Sequence, residues 1–126
     1  MTQAGIQSQL KLQWGKCQDG TWCKLNKVDL SHKAFSVGGV YIVWHGGDNA
    51  KVVYVGQAAV MRDRLTAHRT DTRIQAFSGR GLFVTWAQVG AAQRDGVECY
   101  LIKHWKPAVS ERCPDAAQIP VNSPWE

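Results

Sequence analysis

No apolar run in this chain approaches the roughly 20 residues that a membrane-spanning helix needs. The first ten residues carry little that is apolar besides Ile6 and Leu10, unlike the apolar stretch of a secretory leader, and a cytoplasmic location is the expectation. No internal repeat and no low-complexity stretch is present. Cysteine is too sparse for a disulfide framework: Cys17 and Cys23 are separated by five residues, and Cys99 and Cys113 lie far downstream. Structural zinc sites use tighter pairs, so zinc is disfavoured, and Cys99 reads as a small buried hydrophobe inside a helical pattern. Acidic residues are scarce, 10 against 15 lysines and arginines, for a net charge of +5. A basic balance favours a polyanionic partner.

What is present fits one small domain with a modest core, in 126 residues. Residues 1–36 hold Trp14, Trp22 and Leu25, with a turn signal at Asp19-Gly20. Tryptophan at that density predicts an ordered appendage. Strands are expected over 39–45 and 51–56, around the glycine-rich 46–49. Helices are expected over about 60–68, 71–78 and 92–105. A strand over 82–89, apolar on both faces, is expected to lie centrally under cover. The tail, with Pro107, Pro114, Pro120 and Pro124, is expected to be irregular. Strands and helices together put the chain in the α+β class.

Two strings thirteen residues apart carry the most information, Gly39-Val40-Tyr41 and Tyr54-Val55-Gly56. If the loop is 46–49, Trp44 pairs with Lys51 and Tyr41 stands opposite Tyr54. Directly paired residues share a face, so two phenols would stand side by side. A one-residue slip would separate them.

These strings, in this order, resemble the GIY-YIG nuclease family, with GVY and YVG in place of the family's tripeptides. The pattern continues downstream. Arg64 lies eight residues past Gly56, where the family has its helix arginine, and His68 follows four later. Glu98 opens Glu-Cys-Tyr-Leu-Ile-Lys-His-Trp-Lys-Pro, similar to the family's metal-binding glutamate and its leucine-isoleucine and proline signature. The resemblance covers about 37–110 and implies an α+β core there, a central three-stranded antiparallel sheet flanked by helices, with 1–36 as an N-terminal appendage packed on it and 111–126 as an irregular C-terminal tail. Gln57 stands where the excision-repair members have lysine, which argues against a lysine-assisted step. The family's late asparagine falls near Ser110, and Asn122 is the only asparagine further on.

The resemblance implies a metal-dependent endonuclease that hydrolyses DNA with one Mg²⁺ or Mn²⁺. It makes Tyr41, Tyr54, Arg64, His68 and Glu98 the catalytic set and Glu98 the metal ligand. The residues themselves support parts of this. Arg64 and His68 are four apart and share a helix face. Arg62, Arg64, Arg69 and Arg73 crowd one segment, which suits phosphate contact. Glu98 lies on the apolar spacing of Leu101, Ile102 and Trp105, where a carboxylate needs a cation, a metal or solvent. Arg94, four residues back, is the ordinary alternative partner. With a single carboxylate, a two-metal site is disfavoured. An unperturbed phenol titrates near pH 10, so Tyr41 needs neighbouring positive charge to act as a base. Tyr100 reads as structural, His45 as exposed, and Trp86 and Trp105 as core. The alternative is a basic nucleic-acid-binding module of the same fold that does not cut; a third reading is an interaction domain with a zinc-braced appendage. No separate DNA-reading domain is visible, so any specificity is expected from the appendage, a homodimer or a partner protein.

Overall fold

The computed structural model describes residues 9–109 and 113–125. Four strands form one antiparallel sheet: β1 (Cys23–Lys24), β2 (Gly39–His45), β3 (Val52–Ala58) and β4 (Leu82–Gln88), in the order β1-β4-β2-β3. Helices are α1 (Met61–His68), α2 (Thr72–Gln75) and α3 (Ala91–Trp105), with single 3₁₀ turns at Lys33–Phe35 and Ser78–Arg80. The three long strands are the expected ones, and the α+β class is as the sequence predicts. β4 lies inside the sheet between β1 and β2, as expected, and β2 lies between β4 and β3. The outer edge of β4 is covered by the N-terminal segment: Gly15 donates to Trp86 O, Thr85 Oγ1 donates to Gly15 O, and Leu25 donates to Leu82 O. That cover satisfies edge groups that would otherwise invite another strand.

The sheet has two apolar faces. One buries Tyr41, Val43, Val53 and Tyr54 with Met61 and Leu65 of α1 and with Leu25, Leu30 and Phe35. The other buries Val40, Ile42, Trp44 and Val55 against Val97 and Leu101 of α3. Alternation along β2 produces this split. Segment 10–14 joins the second face through the C-terminal tail: Leu10 bridges Val121, and the Asn122 side chain both accepts from Leu12 N and donates to Leu12 O. Asn122 is thus occupied with the chain's two ends. Ser110 lies outside the described residues.

The hairpin differs from expectation in register. Tyr41 pairs with Gly56, Val43 with Tyr54 and Trp44 with Val52, so neither the Tyr41–Tyr54 nor the Trp44–Lys51 pairing occurs. The connection spans 46–51, and the ladder skips Val53 as a bulge. The bulge lets adjacent Val53 and Tyr54 both join the α1-side core while Val52 joins Trp44 on the other face. Relative to the expected pairing, Tyr41 is displaced by two residues. Two is an even step, so the tyrosines still share a face.

Two further expectations are corrected. Cys17 and Cys23 form a disulfide, closing the Asp19-Gly20 turn. Five intervening residues are enough when a turn folds them back: Cys17 N donates to Thr21 O, and Gly20 N to Cys17 O. His45 is buried, at 3% exposure, and stacks on Phe77 with ring centroids 5.5 Å apart. It lies at the end of a strand, but the 3₁₀ turn and its preceding loop fold over it.

Candidate active site

Strand β3 is a sheet edge, and the candidate residues gather around its C-terminal half. Tyr41 and Tyr54 project to the α1 side with ring centroids 6.1 Å apart and planes 20° from parallel. His68, on the last turn of α1, comes between them from above. Its Nε2 is 2.6 Å from the Tyr41 hydroxyl, and its ring centroid is 4.5 Å from that of Tyr54. Tyr41, Tyr54 and His68 are all buried. A hydrogen bond between buried phenol and imidazole satisfies both groups where water is excluded.

Glycine at the third position of the second string has a steric cause. A Cβ on Gly56 would lie 2.4 Å from the Tyr41 hydroxyl oxygen and 2.8 Å from Tyr54 Cε2. The first string's glycine is set by backbone instead, since a Cβ on Gly39 would lie 2.1 Å from Ala87 O. The two glycines therefore let the tyrosines and strands close up.

Arg64 reaches over the β3 edge. It donates through Nη2 to the Tyr54 hydroxyl at 3.1 Å, with a longer contact from Nη1 to Gln57 O at 3.4 Å. Partial burial works against its charge. The oxygens of Tyr41 and Tyr54, the Tyr54 hydrogen bond and the Glu98 carboxylate outweigh this and hold the guanidinium above its ordinary pKa. It is a permanent cation.

Glu98 approaches from α3, on the other side of the edge. The buried stripe of α3 centres on Val97 and Leu101, so Glu98 edges it, half-buried. Its Oε1 accepts from Gln57 Nε2 at 3.0 Å. Gln57 Nε2 also donates to Asp95 Oδ1 at 2.5 Å. Asp95 is a residue that sequence reasoning missed. Its signal was the i, i+3 spacing to Glu98, which places both on one helix face. The expectation of a lone carboxylate is thus corrected to two carboxylates meeting one amide. Arg94, the alternative partner of Glu98, lies against Gly38 and donates to Val89 O at 3.5 Å.

The four clustered arginines divide. Arg62 donates to Leu30 O at 2.7 Å and Arg69 to Leu25 O at 2.8 Å and to Val28 O, so both are engaged with the N-terminal segment. Arg73 pairs with Asp71 at 2.9 Å on the surface. The fold brings only Arg64 to the tyrosines. Among the described residues, no three of His, Cys, Asp and Glu form a group that could hold a metal ion, and no helix is long and apolar enough to cross a membrane.

No family model matches the chain, and no curated protein matches it. Among solved structures, the chain is similar to the GIY-YIG N-terminal endonuclease domain of UvrC from Thermotoga maritima, a point mutant bound to the catalytic divalent cation. The identity is 18%, the TM-score 0.47, and the match covers 61% of this chain and 86% of that one. At that identity the likeness is one of fold, and activity must be argued from the side chains.

Proposed function

We propose that this chain is an endonuclease that hydrolyses phosphodiester bonds in DNA, with residues 37–110 as the nuclease core and an N-terminal appendage, described from residue 9, packed on it. The observation that carries this reading is the convergence at the β3 edge. A phenol hydrogen-bonded to an imidazole, a second phenol held by a permanent cation, and a carboxylate reach one place from four different elements.

The donors near Gln57 suit a hard divalent cation. The Glu98 and Asp95 carboxylates converge on a single amide nitrogen, and oxygen ligands of this kind are those of Mg²⁺ or Mn²⁺. Glu98 would hold the ion, with Asp95 beside it. When bound, such an ion neutralises charge developing on the scissile phosphate and the leaving oxygen.

The chain's own residues do the rest. Arg64 grips a phosphate oxygen, and its fixed charge favours the transition state over the less charged ground state. Tyr41 accepts a proton from the attacking water while its own phenolic proton passes to His68 Nε2. The water oxygen then bonds to phosphorus as the bond to the leaving oxygen breaks. Tyr54 orients the phosphate jointly with Arg64. Burial of the phenol–imidazole pair keeps competing water from this relay.

The test is a panel of labelled duplex, branched and single-stranded DNA, incubated with Mg²⁺ or Mn²⁺ and with EDTA. Wild-type protein should cut in metal and not in EDTA, and Glu98→Gln should abolish cleavage while leaving DNA binding intact. Glu98→Gln protein that cuts at the wild-type rate removes Glu98 from the site. Wild-type protein that binds DNA but cuts none of the panel is the non-catalytic module instead.

A further inference from the structure

At the opposite end of the β3–α3 seam lies a cleft of about 710 Å³ that the chemistry above does not use. Its walls are Trp44 at the end of β2, Trp105 at the end of α3, and Trp125 from the tail, with Lys51 and Lys106 among its lining residues. Trp125 sits perpendicular to both other tryptophans, with centroids 5.0 Å from Trp44 and 4.9 Å from Trp105. Over a third of Trp125 is open to solvent, at 37% exposure. Trp105, expected to be core, is only half-buried. Lys51 and Lys106 are exposed, and among the described residues no acidic one lines the cleft. Lys106 occupies the left-handed region at φ 49°, ending α3 just before Pro107.

The geometry points to a binding site for single-stranded nucleic acid in this cleft, with bases stacking on Trp125 and Trp105 and phosphates meeting Lys51 and Lys106. Flat aromatic surface beside fixed positive charge is the combination that holds unpaired bases without regard to sequence. Charge complementarity selects this occupant over an apolar peptide or a second copy of the chain, since each would leave two lysines against apolar surface.

The position deepens the nuclease reading, and this second step rests on it. From Val52 to Gln57 is ~17 Å of strand at ~3.3 Å per residue. Glu98 and Trp105 are ~10 Å apart along α3 at 1.5 Å per residue. Such spans correspond to ~3–5 nucleotides at 3.4 Å per stacked nucleotide. A substrate with an unpaired flank would thus lie along the seam, its bases in the cleft and its scissile phosphate at Arg64 and Glu98.

The experiment measures binding of a fluorescein-labelled 15-residue oligothymidylate in EDTA, so that cleavage plays no part. Wild-type protein should bind it, and Trp125→Ala should bind at least tenfold more weakly. Because Trp125 packs on other tryptophans, the double charge reversal Lys51→Glu with Lys106→Glu, at exposed positions, provides a variant that leaves the core alone. It too should lose tenfold or more, with a shallower salt dependence. Melting curves confirm that each variant is folded. Affinities within twofold of wild type in the folded variants overturn the inference. So does a dimer, seen by light scattering, that Trp125→Ala abolishes while oligothymidylate binding persists. If no DNA is cut in metal yet the cleft variants lose oligothymidylate, the nuclease reading falls and the binding site stands. If DNA is cut and the cleft variants bind normally, the reverse holds.

Discussion

Arg64 and Arg69 lie five residues apart, one within helix α1 and one at its C-cap, and the fold puts them to opposite uses. Arg64 turns toward oxygens that can carry charge, the Tyr54 hydroxyl and the Glu98 carboxylate. Arg69 turns toward neutral backbone carbonyls of Leu25 and Val28, and Arg62 does likewise with Leu30. Those carbonyls belong to an irregular segment that buries its own Leu25 and Leu30. Unpaired buried carbonyls are costly, and a guanidinium with five donors satisfies several at once. A count of positive charge along α1 therefore overstates the charge left free of the N-terminal segment. Two of the arginines act as staples for the N-terminal segment, and one turns to the candidate site.

Substitutions on the site side should therefore remove activity and leave stability, and those on the staple side the reverse. The largest effect is expected at Tyr41. Tyr41→Phe keeps the ring in its core position but removes the proton relay to His68, and cleavage should fall by ~10²–10⁴-fold, the usual worth of general acid–base catalysis. Thermal melts should show a folded protein. Tyr54→Phe should do less harm. A folded Tyr41→Phe protein with full activity ends the assignment of that hydroxyl as the base.

Arg64→Ala comes next. Losing one positioned charge in the transition state should lower the rate on the order of a hundredfold or more. Arg62→Ala should lower it much less, since its guanidinium faces Leu30 O and Ser31 O. Equal and small losses at both positions, in single-turnover rates on the same substrate, would mean that α1 is only an electrostatic footprint.

The site side was far more legible in the sequence than the staple side, for a physical reason. Face-sharing of Tyr41 and Tyr54 depends on strand parity, so it survived a register wrong by two residues and a bulge at Val53 that no local signal marks. The long strands and α3 follow from periodicity and from glycine and proline punctuation, which act locally. The roles of Arg62 and Arg69 depend on where residues 25–31 run, and that is fixed by tertiary packing of Leu25, Leu30 and Phe35. The burial of His45, the Cys17–Cys23 bond and the approach of Asp95 to Gln57 are likewise consequences of distant chain meeting chain. Of these, only Asp95 had a readable spacing.

On the staple side, Arg69→Ala should destabilise the fold by ~1 kcal/mol or somewhat more, the cost of leaving two part-buried acceptors unsatisfied. Urea melts measure it directly. Limited proteolysis should show cleavage around 25–31 becoming faster than in the wild type. Single-turnover cleavage by the protein that remains folded should stay within a few-fold of normal. A loss of rate as large as that of Arg64→Ala, without loss of stability, would erase the distinction between the two arginines.

Arg73 supplies the smallest effect and the baseline. It is the more exposed partner of its ion pair, with its side chain 57% and that of Asp71 20% accessible. Arg73→Ala should change stability by ~0.5 kcal/mol or less, because solvent screens such pairs. Asp71 also caps α2, accepting from Arg73 N at 2.9 Å. The Arg73 side-chain hydrogen bond, and after it the backbone one, hold the Asp71 carboxyl below its ordinary value despite partial desolvation. A depressed folded pKa stabilises above the unfolded value of about 3.8, and the contribution is lost as pH falls through the folded pKa. The gap in urea midpoint between wild type and Asp71→Asn should therefore be present at pH 6 and shrink toward pH 3. If Arg73→Ala at pH 6 cost as much stability as Arg69→Ala, exposure would not be what separates these arginines, and the staple assignment would have to be abandoned.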